Sequence, residues 1–540
     1  MRRILPVAHA VLVLGVSALS LPSVAGAGSD RPRDASQLPT PIERTARRVA
    51  RDLAAGGYQV VPGYPMLYSQ EDCDRYSFPI MQNCYGNNPA SPYVVVVVRS
   101  WEDEFVDPAT VNAVGRTRQG YGATYRLDPR EAIVIAAELP PPGRYMGLES
   151  WVFTTGWLDT DTPWDQGWYT LVKEKAPSLF QFLFNTVPGN DKRVQSFSSV
   201  SNNVNNVVIE RKSGAAFGQT RYFIITADRY MDGVVRDALR LAGVRDDDVF
   251  TEPIAAESGP LGVGQEANEF ITAIRYAMPD DDHAAHAWWT KLPLAILRVR
   301  EPTSSTRAAV PFDPFAPDER TANDESGYQD DLLDLVEQVC RRWNQPCALP
   351  PSNDPDRLRP FLDLLVDLRQ FGPLCREIGM DCLGDGQDAS YFVAPGRALE
   401  DGETGARSIY AVVGTLATET GNATYVGLSV NDLGKLKGVS NVSDVALTGS
   451  AGSYTTVANR DKFFLHYFAR DCAAVASFTD GRCTTVTEDM VPLRVTNDQA
   501  VTTGLFGAAL RAYVRPGTTR GPVSALQLRP WIIRFDPPQP

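Results

Sequence analysis

The stretch Glu131–Thr155 sets the strongest constraint on what this 540-residue chain can fold into. Ala132–Ala137 is apolar at every position, so it reads as a strand with no face left for water. Three prolines then turn the chain, and a second strand is expected from Tyr145 to Thr155. Tyr93–Arg99 encloses five consecutive valines and reads as another strand buried on both faces. Such strands need covering layers above and below. The expected fold class is therefore α+β, rich in antiparallel sheet, with two domains, covering helices and local disulfides.

The first 27 residues are expected to lie outside the fold. Arg2 and Arg3 precede an apolar run, Ile4–Leu21, and Ala25-Gly26-Ala27 is a small-residue cleavage signal, so residues 1–27 read as a signal peptide. The arginine pair fits general or twin-arginine export. Pro6, His9 and Gly15 interrupt the apolar run, so no membrane span is expected. The chain reads as secreted. Its formal net charge of −13 argues against nucleic acid, whose binding draws on clustered Lys and Arg.

The eight cysteines fall into four close couples: Cys73/Cys84, Cys340/Cys347, Cys375/Cys382 and Cys472/Cys483. In an oxidising compartment the expectation is four local disulfides with that pairing. Each closes a short loop, worth about 3 kcal/mol in the chain-entropy picture. The last is expected to staple a hairpin. Zinc ligation would need closer spacing and nearby histidines, so no metal or cofactor is expected.

Along the chain, Thr40, Pro41 and Glu43 mark the start of an amphipathic helix over Ile42–Leu53, whose outer face carries Arg44, Arg47, Arg48 and Arg51. Val207–Ile209, Tyr222–Thr226 and Leu294–Arg300 read as strands, and Gly233–Ala242 as a helix capped by Asp228 or Asp232. Gln265–Met278 reads as a helix with Ala267, Phe270, Ile271 and Ile274 inward, stopped by Pro279. Another helix is expected from Asp281 to Trp289. Residues 301–330, proline-rich and acidic, read as a linker between an N-terminal α+β domain (40–300) and a C-terminal one (331–535). Asp331–Cys340 and Phe361–Leu374 both read as helices leading into a C-x6-C couple. From Ser390 onward the chain is strand-rich. Tyr145-Met-Gly-Leu and Tyr425-Val-Gly-Leu each follow a strand and a turn, but an identity of Y-x-G-L is too short to establish duplication.

The residues with most chemical character lie in Trp151–Tyr169. Trp157, Trp164 and Trp168 alternate with Asp159, Asp161 and Asp165. Indole faces stack on apolar sugar faces, and carboxylates accept hydroxyl hydrogen bonds. The stretch is therefore the candidate site for an extracellular carbohydrate or small ligand. Its competing roles are core filling by the Trp residues and chelation of Ca²⁺ by the Asp residues. His283 and His286 share a helix face but lack a third ligand. His466, or acids such as Glu138, Glu149, Glu210 and Asp228, would serve a hydrolase. A third reading is a cell-surface interaction protein docking through the arginine helix. No motif assigns a reaction.

Overall fold

The computed structural model describes residues 39–156, 182–345, 371–394, 407–492 and 500–536, together with residues 174, 347, 362–364, 366–367, 397–399 and 494–497. It is an α+β protein built mainly from antiparallel sheets. Helix α1 (Pro41–Ala55) begins at a reciprocal cap in which the Glu43 N–H donates to Thr40 Oγ1 at 3.2 Å and the Thr40 N–H to Glu43 Oε2 at 2.9 Å. Its apolar face, Ile42, Ala46, Val49 and Leu53, is buried.

Ten principal strands follow in the first half: β1 (Gln59–Pro62), β2 (Tyr64–Tyr68), β3 (Tyr93–Arg99), β4 (Glu131–Glu138), β5 (Gly143–Gly156), β6 (Asn190–Ser199), β7 (Thr220–Thr226), β8 (Val249–Pro253), β9 (Glu269–Pro279) and β10 (Leu294–Arg300). One sheet runs β1-β10-β4-β7-β8 and the other β2-β3-β9-β5-β6. Every neighbour is antiparallel except β7 and β8. Ile133, Ile135, Phe223, Phe270 and Ile274 fill the space between the sheets, and α1 covers Ala132, Val134 and Ile224 on the outside. Both faces of β4 are buried, as its uninterrupted apolar sequence demands.

The second half repeats this plan. Helix α5 (Gln329–Arg342) precedes β11 (Leu362–Leu364), β12 (Val366–Asp367), β13 (Ala389–Val393), β14 (Ile409–Thr415), β15 (Tyr425–Asp432), β16 (Lys437–Ser443), β17 (Phe463–Ala469), β18 (Cys483–Thr485), β19 (Leu505–Tyr513) and β20 (Trp531–Phe535). The sheets run β11-β20-β14-β17-β18 and β12-β13-β19-β15-β16, the first-half order with ten added to each number. The lone parallel pair, β17 with β18, recurs too. Helix α5 covers Ile409, Ala411 and Val413 as α1 covers β4. Tyr222 lies opposite Ala136, and Tyr467 opposite Ala411.

All four expected disulfides are present. Cys73–Cys84 lies in the β2–β3 connection and Cys375–Cys382 in the equivalent β12–β13 connection. Cys340–Cys347 ties the last turn of α5 to the chain just beyond it. Its two ends differ: Cys340 is buried in the core under α5, whereas Cys347 is half-buried at the edge of that core, with Sγ 3.9 Å from Val336 O. Pro346 and residues 348–361, on either side of Cys347, lie outside the described residues. Cys472–Cys483 closes a crossover between parallel strands rather than a hairpin, because Cys483 pairs with Tyr467 in parallel register.

Three more local expectations fail. Val207–Ile209 belongs to a helix, α2 (Asn206–Ser213), because the Asn205 side chain accepts from the Val208 N–H and caps it. Gln265–Met278 holds no helix; Glu269–Pro279 is strand β9. Phe270 and Ile274 face one core, Ile271 and Ala273 another, and two buried faces imitate helical spacing. Within Phe361–Leu374 lie strands β11 and β12 and the start of α6 (Gly372–Ile378). Cys340 therefore sits in the last turn of a long helix and Cys375 inside a short one, so only the first C-x6-C couple is reached from the expected helix. Helices α3 (Arg229–Leu241, capped by Asp228) and α4 (Asp282–Lys291) match expectation. Residues 301–325 carry no regular structure.

Candidate ligand sites at the junction of the halves

Where the halves meet, each presents the same three residues. Two residues beyond Tyr145 on β5 and Tyr425 on β15, Gly147 and Gly427 sit opposite Arg275 of β9 and Arg511 of β19. Tyr145 and Tyr425 lie back over these glycines; a Cβ at Gly147 would come within 2.5 Å of Tyr145 Oη, and one at Gly427 within 2.9 Å of Tyr425 Oη. The Y-x-G-L signature thus encodes a tyrosine ring packed over a bare backbone. On the next strand, Tyr93 of β3 pairs with Arg275 and Tyr391 of β13 with Arg511. The Tyr513 ring lies 4.8 Å from that of Tyr145 and 5.2 Å from that of Tyr425, knitting the halves together.

The charges differ between the two copies. Arg275 Nη2 donates to Glu149 Oε2 at 2.7 Å and to Asp388 Oδ1 at 3.3 Å. Asp388 also accepts from Tyr145 Oη at 2.8 Å, so a second-half carboxylate completes a first-half cluster. Asn203 Nδ2 donates to Glu149 at 2.6 Å. Burial pushes the Glu149 carboxyl up against the pull of Arg275. For Arg275 burial works the other way, but Tyr145, Glu149 and Asp388 outweigh it and hold the guanidinium charged. Arg511 meets no carboxylate among the described residues. It donates to Ser429 Oγ, the position equivalent to Glu149, and to Gly86 O at 2.9 Å.

Arg275, Arg511, Tyr93, Tyr391 and Tyr513 line one cavity of about 90 Å³, closed on its other side by leucines that include Leu183, Leu433 and Leu436. A second, wider groove of about 450 Å³ runs beneath residues 313–318, the segment crossing from one half to the other. Ser201, Asn202, Asn203 and Thr519 line it, with Asp313, Phe315 and Asp318 on the crossing segment. Arg229 pairs with Asp313, and Thr519 Oγ1 donates to Asp318 Oδ2 at 3.4 Å. Glu252 lies on β8 between two groove residues, Thr251 and Pro253. It is fully buried, accepts from the Ser150 N–H at 2.7 Å, and burial raises its carboxyl to about 8. Burial also lifts Asp381, beside Gln195, to about 7.

Of the sequence-based candidates, Trp157, Asp159, Asp161, Trp164, Asp165 and Trp168 lie outside the described residues. Their neighbour Trp151 is core: it is 2% exposed and donates from Nε1 to Asp385 O at 2.9 Å. His466 is buried, its Nε2 lies 2.8 Å from Thr484 Oγ1, and burial depresses its pKa to about 4. It stands neutral, and no carboxylate among the described residues is beside it to orient a general base. His283 and His286 are exposed on α4, and no group of three His, Cys, Asp or Glu among the described residues is placed to hold a metal. Glu138 and Glu210 are exposed, whereas Asp228 is buried as the α3 cap and Arg307 partner.

Sequence reasoning passed over Arg275 and Arg511, although the signal was present: each is the one charged residue inside an otherwise uncharged, mostly apolar strand run, Phe270–Met278 and Leu505–Val514. Such a charge needs a partner or a ligand.

No protein-family model matches the chain, and no curated protein matches it. Among solved structures it is similar to an uncharacterised protein from Burkholderia cenocepacia, with 9% identity, a TM-score of 0.33, and coverage of 92% of this chain and 87% of that one. A likeness at that level carries no argument about fold or function. The four disulfides belong to an oxidising environment, and no helix among the described residues is long and apolar enough to cross a membrane.

Proposed function

We propose that this chain is a secreted, disulfide-stabilised binding protein for a small, hydroxyl-rich extracellular ligand of glycan-like chemistry. The observation that carries the reading is the groove of about 450 Å³ beneath residues 313–318. Its size suits a small-molecule site, and amide, hydroxyl and carboxylate groups converge on it from both halves and from the crossing segment. Planar amides and carboxylates bond vicinal hydroxyls in pairs, and Phe315 supplies an apolar face for a sugar ring. The stretch Trp157–Trp168, with Asp159, Asp161 and Asp165, is proposed as a second contact surface on its composition.

The test is a thermal-shift and calorimetry screen of the oxidised protein against neutral and acidic oligosaccharides. A ligand present at about a hundred times its Kd adds about 2.7 kcal/mol of stability. Binding is expected to weaken at least about tenfold, or 1.4 kcal/mol, in Phe315→Ala and in Asp318→Ala. Trp157→Ala reports separately on the tryptophan stretch. Saturable binding unaffected by either groove variant would remove the groove from the reading; no saturable binding by any sugar would remove the reading itself.

A further inference from the structure

The two arginines at the junction are equivalent in strand, register and tyrosine neighbours, yet among the described residues only Arg275 meets a carboxylate. Arg275 has Glu149 and Asp388; Arg511, 6% exposed, has a serine hydroxyl and a backbone carbonyl. A guanidinium held out of water by neutral acceptors alone is poorly compensated, and a bidentate anion is what its fork geometry recognises best. Arg511 also borders empty space. The cavity of about 90 Å³ beside it matches the volume of about three liquid waters. Asn431, on the same wall, keeps a buried Oδ1 that no group bonds, while its Nδ2 donates to Ser429 Oγ and Gly507 O, each at 3.4 Å. Asn88 and Arg275 add polar groups to the wall, leucines, Val393 and alanines supply its apolar part, and the rim at Leu383, Tyr391 and Val393 is partly exposed, so the space reaches the surface.

We propose that this cavity is a second binding site, which takes a small organic carboxylate with an apolar body. The carboxylate sits on Arg511, where the first half places Glu149 on Arg275, and the body lies along Leu183, Leu433 and Leu436. The ligand thus fills the place of the carboxylate missing from the second copy. The site shares no lining residue with the groove beneath 313–318, so either assignment survives failure of the other.

The probes are hexanoate and benzoate, with hexanamide and benzamide as neutral counterparts of the same shape, titrated by calorimetry into the oxidised full chain up to about 10 mM, a range that detects millimolar Kd. The acids are expected to bind saturably and the amides not. Arg511→Met should weaken the acids at least about tenfold. Because that variant also disturbs a buried network, Ser429→Glu is the decisive companion: it installs the first half's own carboxylate on Arg511 and should abolish binding in a folded protein. Ser429→Gln, of similar bulk without charge, should retain it. Equal binding of acids and amides, equal affinity in Ser429→Glu and the parent, equal loss in Ser429→Glu and Ser429→Gln, or no saturable binding of either acid overturns the proposal.

Discussion

Arg275 and Arg511 stand at the same place in two copies of one strand plan, and their surroundings separate what the fold requires from what it leaves open. The plan requires a glycine opposite the arginine, a tyrosine over the glycine and a second tyrosine on the neighbouring strand; both halves have all three. It does not require the carboxylate. In the first half Glu149 and Asp388 complete a closed ion cluster that joins the halves, whereas in the second Arg511 donates to a serine and borders a cavity. One copy has become a structural clamp. The other keeps the features of a site.

The clamp should therefore break expensively and the site cheaply. Arg275→Met strands two buried carboxylates, a loss of about 3–5 kcal/mol for a buried pair deprived of one partner. Arg511→Met gives up hydrogen bonds to neutral oxygens and should cost about 1–2 kcal/mol. Urea unfolding of both variants measures the gap directly through the midpoint. Equal losses would mean that Arg511 is as firmly neutralised as Arg275, and the asymmetry between the copies would not hold.

The buried acids and the buried histidine should also respond to pH with opposite sign. Burial raises Glu252 from 4.5 to about 8, so the folded protein holds a proton that the unfolded chain releases. Its contribution is fully present below about pH 4.5 and is lost as pH rises toward 8. Asp381 acts in the same direction, up to about 7. His466 acts in reverse: burial lowers it from 6.5 to about 4, so stability is lost as pH falls through that window and the unfolded chain takes up the proton. A tenfold difference in proton affinity between folded and unfolded chain is worth about 1.4 kcal/mol, so Glu252→Gln should gain a few kcal/mol over the parent at about pH 8 and almost nothing near pH 4.5. His466→Gln should instead flatten the loss on the acid side. Urea midpoints at the two ends of the range decide; a Glu252→Gln effect independent of pH would show that the acid is not protonated in the fold.

Much of this plan was legible in the residues, and what was hidden was hidden for physical reasons. Runs such as Ala132–Ala137 and Val94–Val98 announce strands because nothing else buries both faces of so short a segment. The cysteine couples, Cys340 with Cys347 among them, paired as expected because each loop is short. Strand β9 failed for the same reason that β4 succeeded: two buried faces erase alternation, and Phe270, Ile271 and Ile274 then imitate a helix. The duplication showed itself only as Y-x-G-L, because strand order and register leave little mark on residue identity. The clamp was invisible, since Tyr145 and Asp388 stand 243 residues apart and nothing local to either names the other.

The short signature itself offers the finest comparison between the halves. An alanine at Gly147 would place its Cβ 2.5 Å from Tyr145 Oη, and that ring is fixed by its 2.8 Å hydrogen bond to Asp388. At Gly427 the new Cβ would meet two obstacles, Asn441 Oδ1 at 2.7 Å and Tyr425 Oη at 2.9 Å. Either substitution should cost about 1–3 kcal/mol by overpacking. Removing the tyrosine hydroxyl should separate them. In Tyr145→Phe the nearest remaining ring atom is 3.1 Å away, so the added cost of Gly147→Ala should fall by about 1 kcal/mol, a coupling that a double-mutant cycle reads. In Tyr425→Phe the Asn441 oxygen is still in the way, so Gly427→Ala should cost nearly what it does alone. Absence of coupling at both glycines would mean that the tyrosine ring, and not its hydroxyl, sets the need for a bare backbone in both copies.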